Sequence, residues 1–282
     1  MRALAASSNE FGFDLYRRLD GAGNRAIAPA SIAIALGMTA GGARGQTLTE
    51  MRAVLRHTLP EAELHAAWGA LVRRSSETRA GFTLATAQRL FVHTSLALEA
   101  PFVALTQNNY GAAAERVDFA QFETARALVN QWVATRTRDR ITGILPEGSV
   151  GSDTRVVLVS AMYLNGRWRR PFAEADTRPE TFHTPTQPAQ VPMMRMTRDL
   201  YFAEIPGGKM LEMPYADGDY VMDVILPNAA GDLPALASRL NTTRLTAWSD
   251  ELSTRRVNVR LPRFRVDGAI LPLRDTLQGP RA

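Results

Sequence analysis

Four histidines are the side chains in this sequence best suited to metal binding or to acid and base catalysis. They are His57, His65, His93 and His183. His57 and His65 are eight residues apart and fall on different predicted segments, and the sequence contains no His-Glu-x-x-His motif. The spacing therefore predicts no metal site.

A serine between two glycines is the second feature that could support chemistry. The segment from Gly148 to Gly151 is one residue short of a nucleophile elbow, and it precedes a predicted strand where an elbow would follow one. Asp217, Asp219 and Asp223 lie in or beside a predicted turn, which indicates solvated carboxylates. No Ser-x-x-Lys motif or dinucleotide-binding fingerprint occurs. We therefore predict a protein that is not an enzyme and binds no metal or cofactor.

A glycine-rich segment from Gly41 to Thr47 lacks the residues that a phosphate-binding loop requires. Ala40 stands where the first glycine of such a loop is required, and Gln46 stands where the lysine belongs. The segment also follows a helix and not a strand. We expect a turn that ends one helix and starts another, with Thr47 and Glu50 as a capping box.

The charge of the chain is basic and comes almost entirely from arginine. The formal net charge is +5, and Lys209 is the only lysine among 282 residues. An anionic partner is one interpretation, and arginines spread over a solvated surface are the other. Arg136, Arg138 and Arg140 are two apart on a predicted helix, which scatters their charges around it. We predict no nucleic-acid partner.

The sequence contains no cysteine, so it offers no disulfide and no thiolate nucleophile. The first residues, MRALAASSNEFGF, are too polar for the apolar core of a signal peptide, and no window is long enough to span a membrane. As written, the chain is expected to be cytoplasmic and not to contact a membrane.

The elements that must position any functional residue centre on the stretch from Leu128 to Trp168. Its apolar residues follow helical spacing up to Val133, whereas Val156 to Val159 form an unbroken apolar run after a turn at Pro146. A strand this apolar must be covered on both faces. The preceding helix is expected to cover one of them.

The remaining pattern predicts a mixed α and β protein. We expect a first helix capped by Ser8 or Asn9, a strand from Phe82 to Val92, and short antiparallel strands between Phe172 and Pro227. Repeats and clear linkers are absent from the sequence. We therefore expect one α+β domain over residues 1–282.

Several motifs resemble the serpin family of serine protease inhibitors, and the bacterial type within it. They are VNQWV, ILPEGSV and VLVSAMYLNGRW around the helix and strand described above, followed by VPMM, MPY and VILP further along the chain. The resemblance implies a large central mixed β-sheet covered by helices.

The resemblance also implies a suicide-substrate mechanism directed at a serine or possibly a cysteine protease. In serpins the protease cuts an exposed reactive loop, which then inserts as an extra strand into the central sheet. Most serpins are secreted to the extracellular space, so the localisation of this chain stays open.

The same resemblance assigns roles to five positions. Ser31 and Ser160 match residues of a buried polar network where the sheet opens, and Ala28 replaces another serine of that network. Trp168 and Arg263 match residues near the point where loop insertion begins. A polar network that lacks some of its hydrogen-bonding residues controls the opening of the central sheet less well.

The sequence departs from the serpin pattern after a predicted helix from Leu273 to Leu277. No stretch resembles the final central strand, the reactive loop or the closing strands, so we expect these to be missing and the chain to trap no protease. Two functions stay open at this point. One is a serpin-type endopeptidase inhibitor by descent, and the other is a non-inhibitory remnant that binds a strand-donating chain.

Overall fold

The computed structural model describes residues 1–19, 23–76, 78–184, 187–266, 273 and 277. Within these residues the helices are α1 Arg2–Arg18, α2 Pro29–Ala40, α3 Gly45–Val54, α4 Glu61–Ser75, α5 Ala100–Tyr110, α6 Phe122–Arg136, α7 Leu233–Ser238 and α8 Thr242–Asp250. The strands are β1 Thr78–Arg79, β2 Phe82–His93, β3 Ala114–Val117, β4 Val156–Gly166, β5 Arg178–His183, β6 Pro188–Ile205, β7 Gly208–Pro214, β8 Val221–Pro227 and β9 Ser253–Pro262.

The first sheet is built around β2. β4 pairs with β2 in antiparallel register, from Phe82 opposite Gly166 to Val92 opposite Val156. β3 pairs in parallel with the last residues of β2 on its other edge, and the two-residue β1 pairs with its start. The sheet is therefore mixed, as the family resemblance implies.

Helices α2 and α6 cover opposite faces of this sheet. Because successive residues of a strand point to opposite faces, Leu158 packs with Ile34 of α2, whereas Val157 and Val159 pack with Val129 of α6. Val129 is fully buried, and burial of such a side chain contributes about 1.5–3 kcal/mol. The prediction of a strand covered on both faces, with the preceding helix over one of them, is confirmed.

The ends of β4 differ from the prediction. Val156 is 41% exposed and Leu164 is 50% exposed, although both belong to an apolar stretch. The two helices cover the middle of the strand, where Val159 and Ala161 are buried. The predicted cover of the run from Val156 to Val159 is therefore incomplete at its first residue, and β4 is also exposed near its other end.

The second sheet is built around the long strand β6. β9 pairs antiparallel along one edge of β6, from Met193 opposite Pro262 to Phe202 opposite Ser253. β5 and β7 pair with its other edge, and β8 pairs with β7. The predicted antiparallel ribbons are thus present, and Leu236 of α7 and Trp248 of α8 pack against buried residues of this sheet.

Two predicted helix starts are wrong. α1 begins at Arg2, ahead of the proposed caps, and the Ser7 hydroxyl donates to the Ala3 carbonyl inside the helix at 3.0 Å. α3 begins at Gly45 with Arg44 as its N-cap, so Thr47 lies within the helix and forms no capping box. In both cases the helix extends N-terminal to the polar residue that was expected to start it. The predicted helix from Leu273 to Leu277 lies mostly outside the described residues.

Candidate functional site

A hydroxyl pair links α2 to β4 beneath the mixed sheet. The Oγ atoms of Ser31 and Ser160 are 3.0 Å apart, and Ser31 Oγ is also 3.3 Å from the Ser160 carbonyl oxygen. Ser31 is only 8% exposed. Ser31 lies in the first turn of α2, two residues after Pro29, which fixes the direction in which the helix starts. The structure therefore brings together two of the five residues selected from the sequence.

Gln88 is a third polar residue at this place, and it was not among the predicted site residues. It is directly opposite Ser160 in the β2–β4 pairing, so the two side chains point to the same face. Gln88 is 5% exposed, and no described residue accepts a hydrogen bond from its amide nitrogen. A buried amide without a partner costs about 1–3 kcal/mol. The only sequence signal was a glutamine in the middle of an otherwise strand-forming run.

A second polar contact fixes the segment that leads from α6 to β4. The Asn130 side-chain Nδ2 donates to the Leu145 carbonyl at 3.0 Å, and the Leu145 N–H donates back to the side-chain Oδ1 of Asn130 at 2.9 Å. The Thr137 hydroxyl accepts from the Ile141 N–H at 3.1 Å, near the end of the helix. Asn130 and Thr137 are both buried. These side chains hold the connecting segment against α6.

At the far end of β4, Trp168 stacks on Tyr215. Their ring centroids are 4.7 Å apart with an interplanar angle of 9°, and the two residues also form an isolated β-bridge. Phe82 stacks on Tyr220 at 4.6 Å beside them. Burial raises the pKa of the Tyr215 hydroxyl. Trp168 also lines a cavity of about 170 Å³ together with Leu200 and other residues of the second sheet.

One edge of the first sheet carries no partner strand in the described part of the chain. β4 pairs with β2 along one edge, and no described strand pairs with its other edge. The N–H and C=O groups along such an edge can pair with another extended segment. The hydroxyl pair of Ser31 and Ser160 lies at the middle of this strand.

Comparisons with known proteins agree with this architecture. The sequence profile of the family described as "Serpin (serine protease inhibitor)" matches residues 6–279. The chain belongs to the serpin family. Human (Homo sapiens) Serpin B3 is 30% identical over 99% of this chain and 77% of its own length. The leukocyte elastase inhibitor of pig (Sus scrofa) is 34% identical over 95% of this chain and 74% of its own length.

Solved serpin structures match the fold. Ovalbumin from emu (Dromaius novaehollandiae) superposes with a TM-score of 0.88 at 28% identity, over 92% of this chain and 73% of ovalbumin. The structure described as cleaved Serpin 42Da gives a TM-score of 0.87 at 30% identity, over 93% of this chain and 72% of its own. The family is described as one of protease inhibitors and not of catalysts, so the chain is not an enzyme.

Among the described residues, no hydrogen bond or ion pair joins Ala28 or Arg263 of this serpin to the hydroxyl pair or to Trp168. Ala28 is the exposed N-cap of α2, and its carbonyl accepts from the Ile32 N–H at 3.1 Å. Arg263 is exposed and donates its backbone N–H to Pro192 at 2.8 Å. Pro192 is four residues along β6 from Met196, which lines the cavity beside Trp168, or on the order of 13 Å. Arg263 is not among the residues that line this cavity.

The remaining candidates for chemistry in this serpin have local structural contacts. The Ser149 hydroxyl donates to the Pro146 carbonyl at 2.6 Å, inside a turn. His93 Nδ1 lies 2.7 Å from the Ser95 hydroxyl and also accepts the Ser95 backbone N–H at 3.1 Å, which closes a short turn. In the described part of the chain, no group of three or more His, Asp or Glu residues could hold a metal ion, and no helix is long and apolar enough to cross a membrane.

Proposed function

We propose that residues 1–282 form one domain, the strand-accepting body of a serpin-type inhibitor of serine endopeptidases. The observation that carries the proposal is the free edge of β4 beside the contact between Ser31 and Ser160. A sheet that gains a strand must let its elements part, and a few hydroxyl contacts can set how readily they do so. Gln88 belongs to the same polar group because it faces Ser160 across the sheet.

In this proposal Ser31 and Ser160 resist opening of the sheet, and Ala28 is the position where a serine of the family network is lost. Trp168 marks the end of β4 at which insertion begins, and Arg263 is a further basic residue assigned to that process. The support for Trp168 is its stacking on Tyr215 where β4 ends. The support for Ala28 and Arg263 is the family motif alone.

A serine protease is the proposed target class, because a relative at 34% identity is a leukocyte elastase inhibitor. We further propose that residues 1–282 alone do not trap such a protease, because no stretch of this sequence resembles a reactive loop. The residue that would set specificity belongs to that loop. The proposed role of the described domain is therefore to receive a strand and not to present the bond that is cut.

The test is incubation of the 282-residue protein with elastase, chymotrypsin and trypsin, followed by denaturing electrophoresis. We expect proteolytic fragments and no band at the summed mass of protein and protease. Each protease with a chemically blocked active site serves as the control, because it can bind but cannot form an acyl-enzyme. A covalent complex with any active protease would contradict the second part of the proposal.

The second candidate function is binding of a strand-donating chain without inhibition. The free β4 edge favours it, together with the exposed apolar side chains of Val156 and Leu164 at the two ends of that strand. An extended peptide of about ten residues matches a strand of this length. Such a peptide should raise the melting temperature in a concentration-dependent manner, because it binds only the folded state. The same peptide with methylated backbone nitrogens is the control, since it cannot donate hydrogen bonds to β4.

A further inference from the structure

A buried histidine closes the corner between α1, α3 and α4, away from the mixed sheet. His57 follows α3 and is 8% exposed. No described residue offers a hydrogen bond to either of its ring nitrogens. Its ring meets Trp68 of α4 edge to face, with centroids 6.3 Å apart, and the Trp68 indole N–H is also buried without a partner. An imidazole in such a place is held by packing alone.

The turn that carries His57 is fastened by its neighbours on both sides. The Arg52 guanidinium donates to the Leu59 carbonyl at 2.6 Å, and the His57 N–H donates to the Arg52 carbonyl at 2.9 Å. Arg56 has a positive φ of 57° and its guanidinium reaches Asp14 of α1 at 2.7 Å. Side-chain and backbone contacts therefore seat this turn between α1 and α4.

The charges around His57 disfavour protonation of its ring. Arg52 and Arg56 flank it from α3 and the turn, and His65 faces it from α4. Of the nearby carboxylates, Glu10 of α1 lines the same groove and already accepts the Thr242 N–H at 2.8 Å.

The other two carboxylates near this corner are also engaged elsewhere. Asp14 is paired with Arg56 and Arg17, and Glu61 of α4 lies 4.0 Å from His65 Nε2. Neither carboxylate forms an ion pair with His57, whose ring nitrogens have no hydrogen-bond partner among the described residues. A protonated His57 would have no partner unless the turn moved.

We propose that His57 is an acid-sensitive latch, whose protonation releases the turn at residues 55–59 and loosens α1 while the second sheet stays folded. Burial, and then the charges of Arg52 and His65, lower the pKa of His57 from 6.5 to about 4. A group with a depressed pKa stabilises the fold above its unfolded value and loses that contribution as the pH falls. The latch therefore weakens between pH 6.5 and about pH 4. It would operate whether or not the chain inhibits a protease.

α1 contacts two other parts of the molecule that its loosening would affect. A Cβ atom on Gly12 would lie 2.7 Å from Pro29, so α1 and the start of α2 touch at this glycine. Arg17 of α1 also donates to the Leu240 carbonyl at 2.6 Å. Movement of α1 should thus reduce protection from hydrogen exchange at the start of α2 and in the segment between α7 and α8. It should change protection least in β9.

Hydrogen exchange followed by mass spectrometry at pH 7 and pH 5, corrected for intrinsic exchange rates, tests the latch in the unmodified protein. We expect opening of segments 2–18 and 45–59 to be roughly 20-fold more favourable at pH 5, with protection of β6 and β9 unchanged. In the His57→Phe variant most of this difference should disappear, and the remainder is the contribution of His65, whose pKa is also lowered by burial. His183→Gln, at an exposed position on β5, should behave like the unmodified protein.

Two outcomes would overturn the proposal. One is equal loss of protection in the helical corner and in β9, which would mean global acid unfolding. The other is an unchanged acid response in His57→Phe, or in His57→Asn if the phenylalanine variant does not fold. Protonation of Asp14 is separable, because hydrogen bonds from Arg56 and Arg17 outweigh burial and keep its pKa below the ordinary value.

Discussion

The hydroxyl of Ser31 on α2 lies 3.0 Å from the hydroxyl of Ser160 on β4, across 129 residues of sequence. It joins a buried helix to the strand whose other edge has no partner in the described part of the chain. Gln88, directly opposite Ser160 on β2, completes a small polar group in an otherwise apolar layer. A buried polar group of this kind stabilises the fold strongly only while every member has a hydrogen-bond partner.

The first prediction concerns coupling between the two serines. Ser31→Ala and Ser160→Ala should each lower the free energy of unfolding by about 1 kcal/mol. The double variant should lose less than the sum, because the hydrogen bond can be removed only once. Urea unfolding of the four proteins measures this. Thr49→Ala, on the exposed face of α3, is a control for which no coupling to Ser160 is expected. Additive losses for the two serines would show that their contact contributes nothing.

Much of the layer around this contact could be predicted from residue patterns. The periodicity of Leu128 to Val133 and the apolar run at Val156 to Val159 were sufficient to predict α6, β4 and their packing. Helix starts were less predictable, because Ser7 bonds back inside α1 where a cap was expected. A serine can either cap a helix or donate to a carbonyl inside it, and tertiary packing determines which of the two occurs.

The functional contacts were only partly predictable. Ser31 and Ser160 were chosen from a family motif, and their proximity was not visible in spacing because it depends on how α2 crosses β4. Gln88 was missed because strand alternation alone does not show which face is buried. Ala28 is the exposed N-cap of α2 and Arg263 follows β9 at an exposed position. Their roles stay predictions from the family motif, which gives the identity of a residue but not its surroundings.

The second prediction concerns the clamp on the connecting segment. Asn130→Ala removes both hydrogen bonds to Leu145 and leaves the Leu145 N–H without its partner, whereas the Leu145 carbonyl keeps the bond from Arg126 at 3.3 Å. We expect a loss of about 1–2 kcal/mol in unfolding free energy. Limited proteolysis should then cut within residues 138–155 sooner than in the unmodified protein. Gln131→Ala, at the next and exposed position of α6, should change neither measurement. Equal cutting rates in the two variants would rule out a clamp.

The third prediction concerns two carboxylates that face each other across β7 and β8. Glu212 is directly opposite Asp223, and burial followed by the charge of Asp223 raises the pKa of Glu212. A raised pKa means that the stabilising contribution is present at low pH and is lost as the pH rises through the folded value. Glu212→Gln should therefore stabilise the protein by about 0.5 kcal/mol at pH 7, with the gain vanishing towards pH 4.

Thermal unfolding of Glu212→Gln and of the unmodified protein between pH 4 and pH 8 measures this difference. Glu174→Gln, at an exposed position outside the sheets, is the matched control and should show no such trend. If the variant is less stable than the unmodified protein at pH 7, then the favourable contacts of the Glu212 carboxylate outweigh its repulsion from Asp223.

The fourth prediction concerns the last residue of β4, where the backbone passes close to two rings. A Cβ atom on Gly166 would lie 2.6 Å from the Tyr215 ring and 2.7 Å from the Phe82 ring. Neither ring can retreat cheaply, because Tyr215 is stacked on Trp168 and Phe82 is stacked on Tyr220.

Gly166→Ala should therefore cost about 1–3 kcal/mol in unfolding free energy and should shift the fluorescence of the Trp168 environment. Gly143→Ala is the matched control, because nothing lies within 4 Å of its Cβ position and its φ is not in the left-handed region. It should be neutral or slightly stabilising, by up to about 1 kcal/mol. If both alanine variants behave alike, the close packing at the end of β4 does not constrain Trp168, and its proposed role at the start of strand insertion loses its structural support.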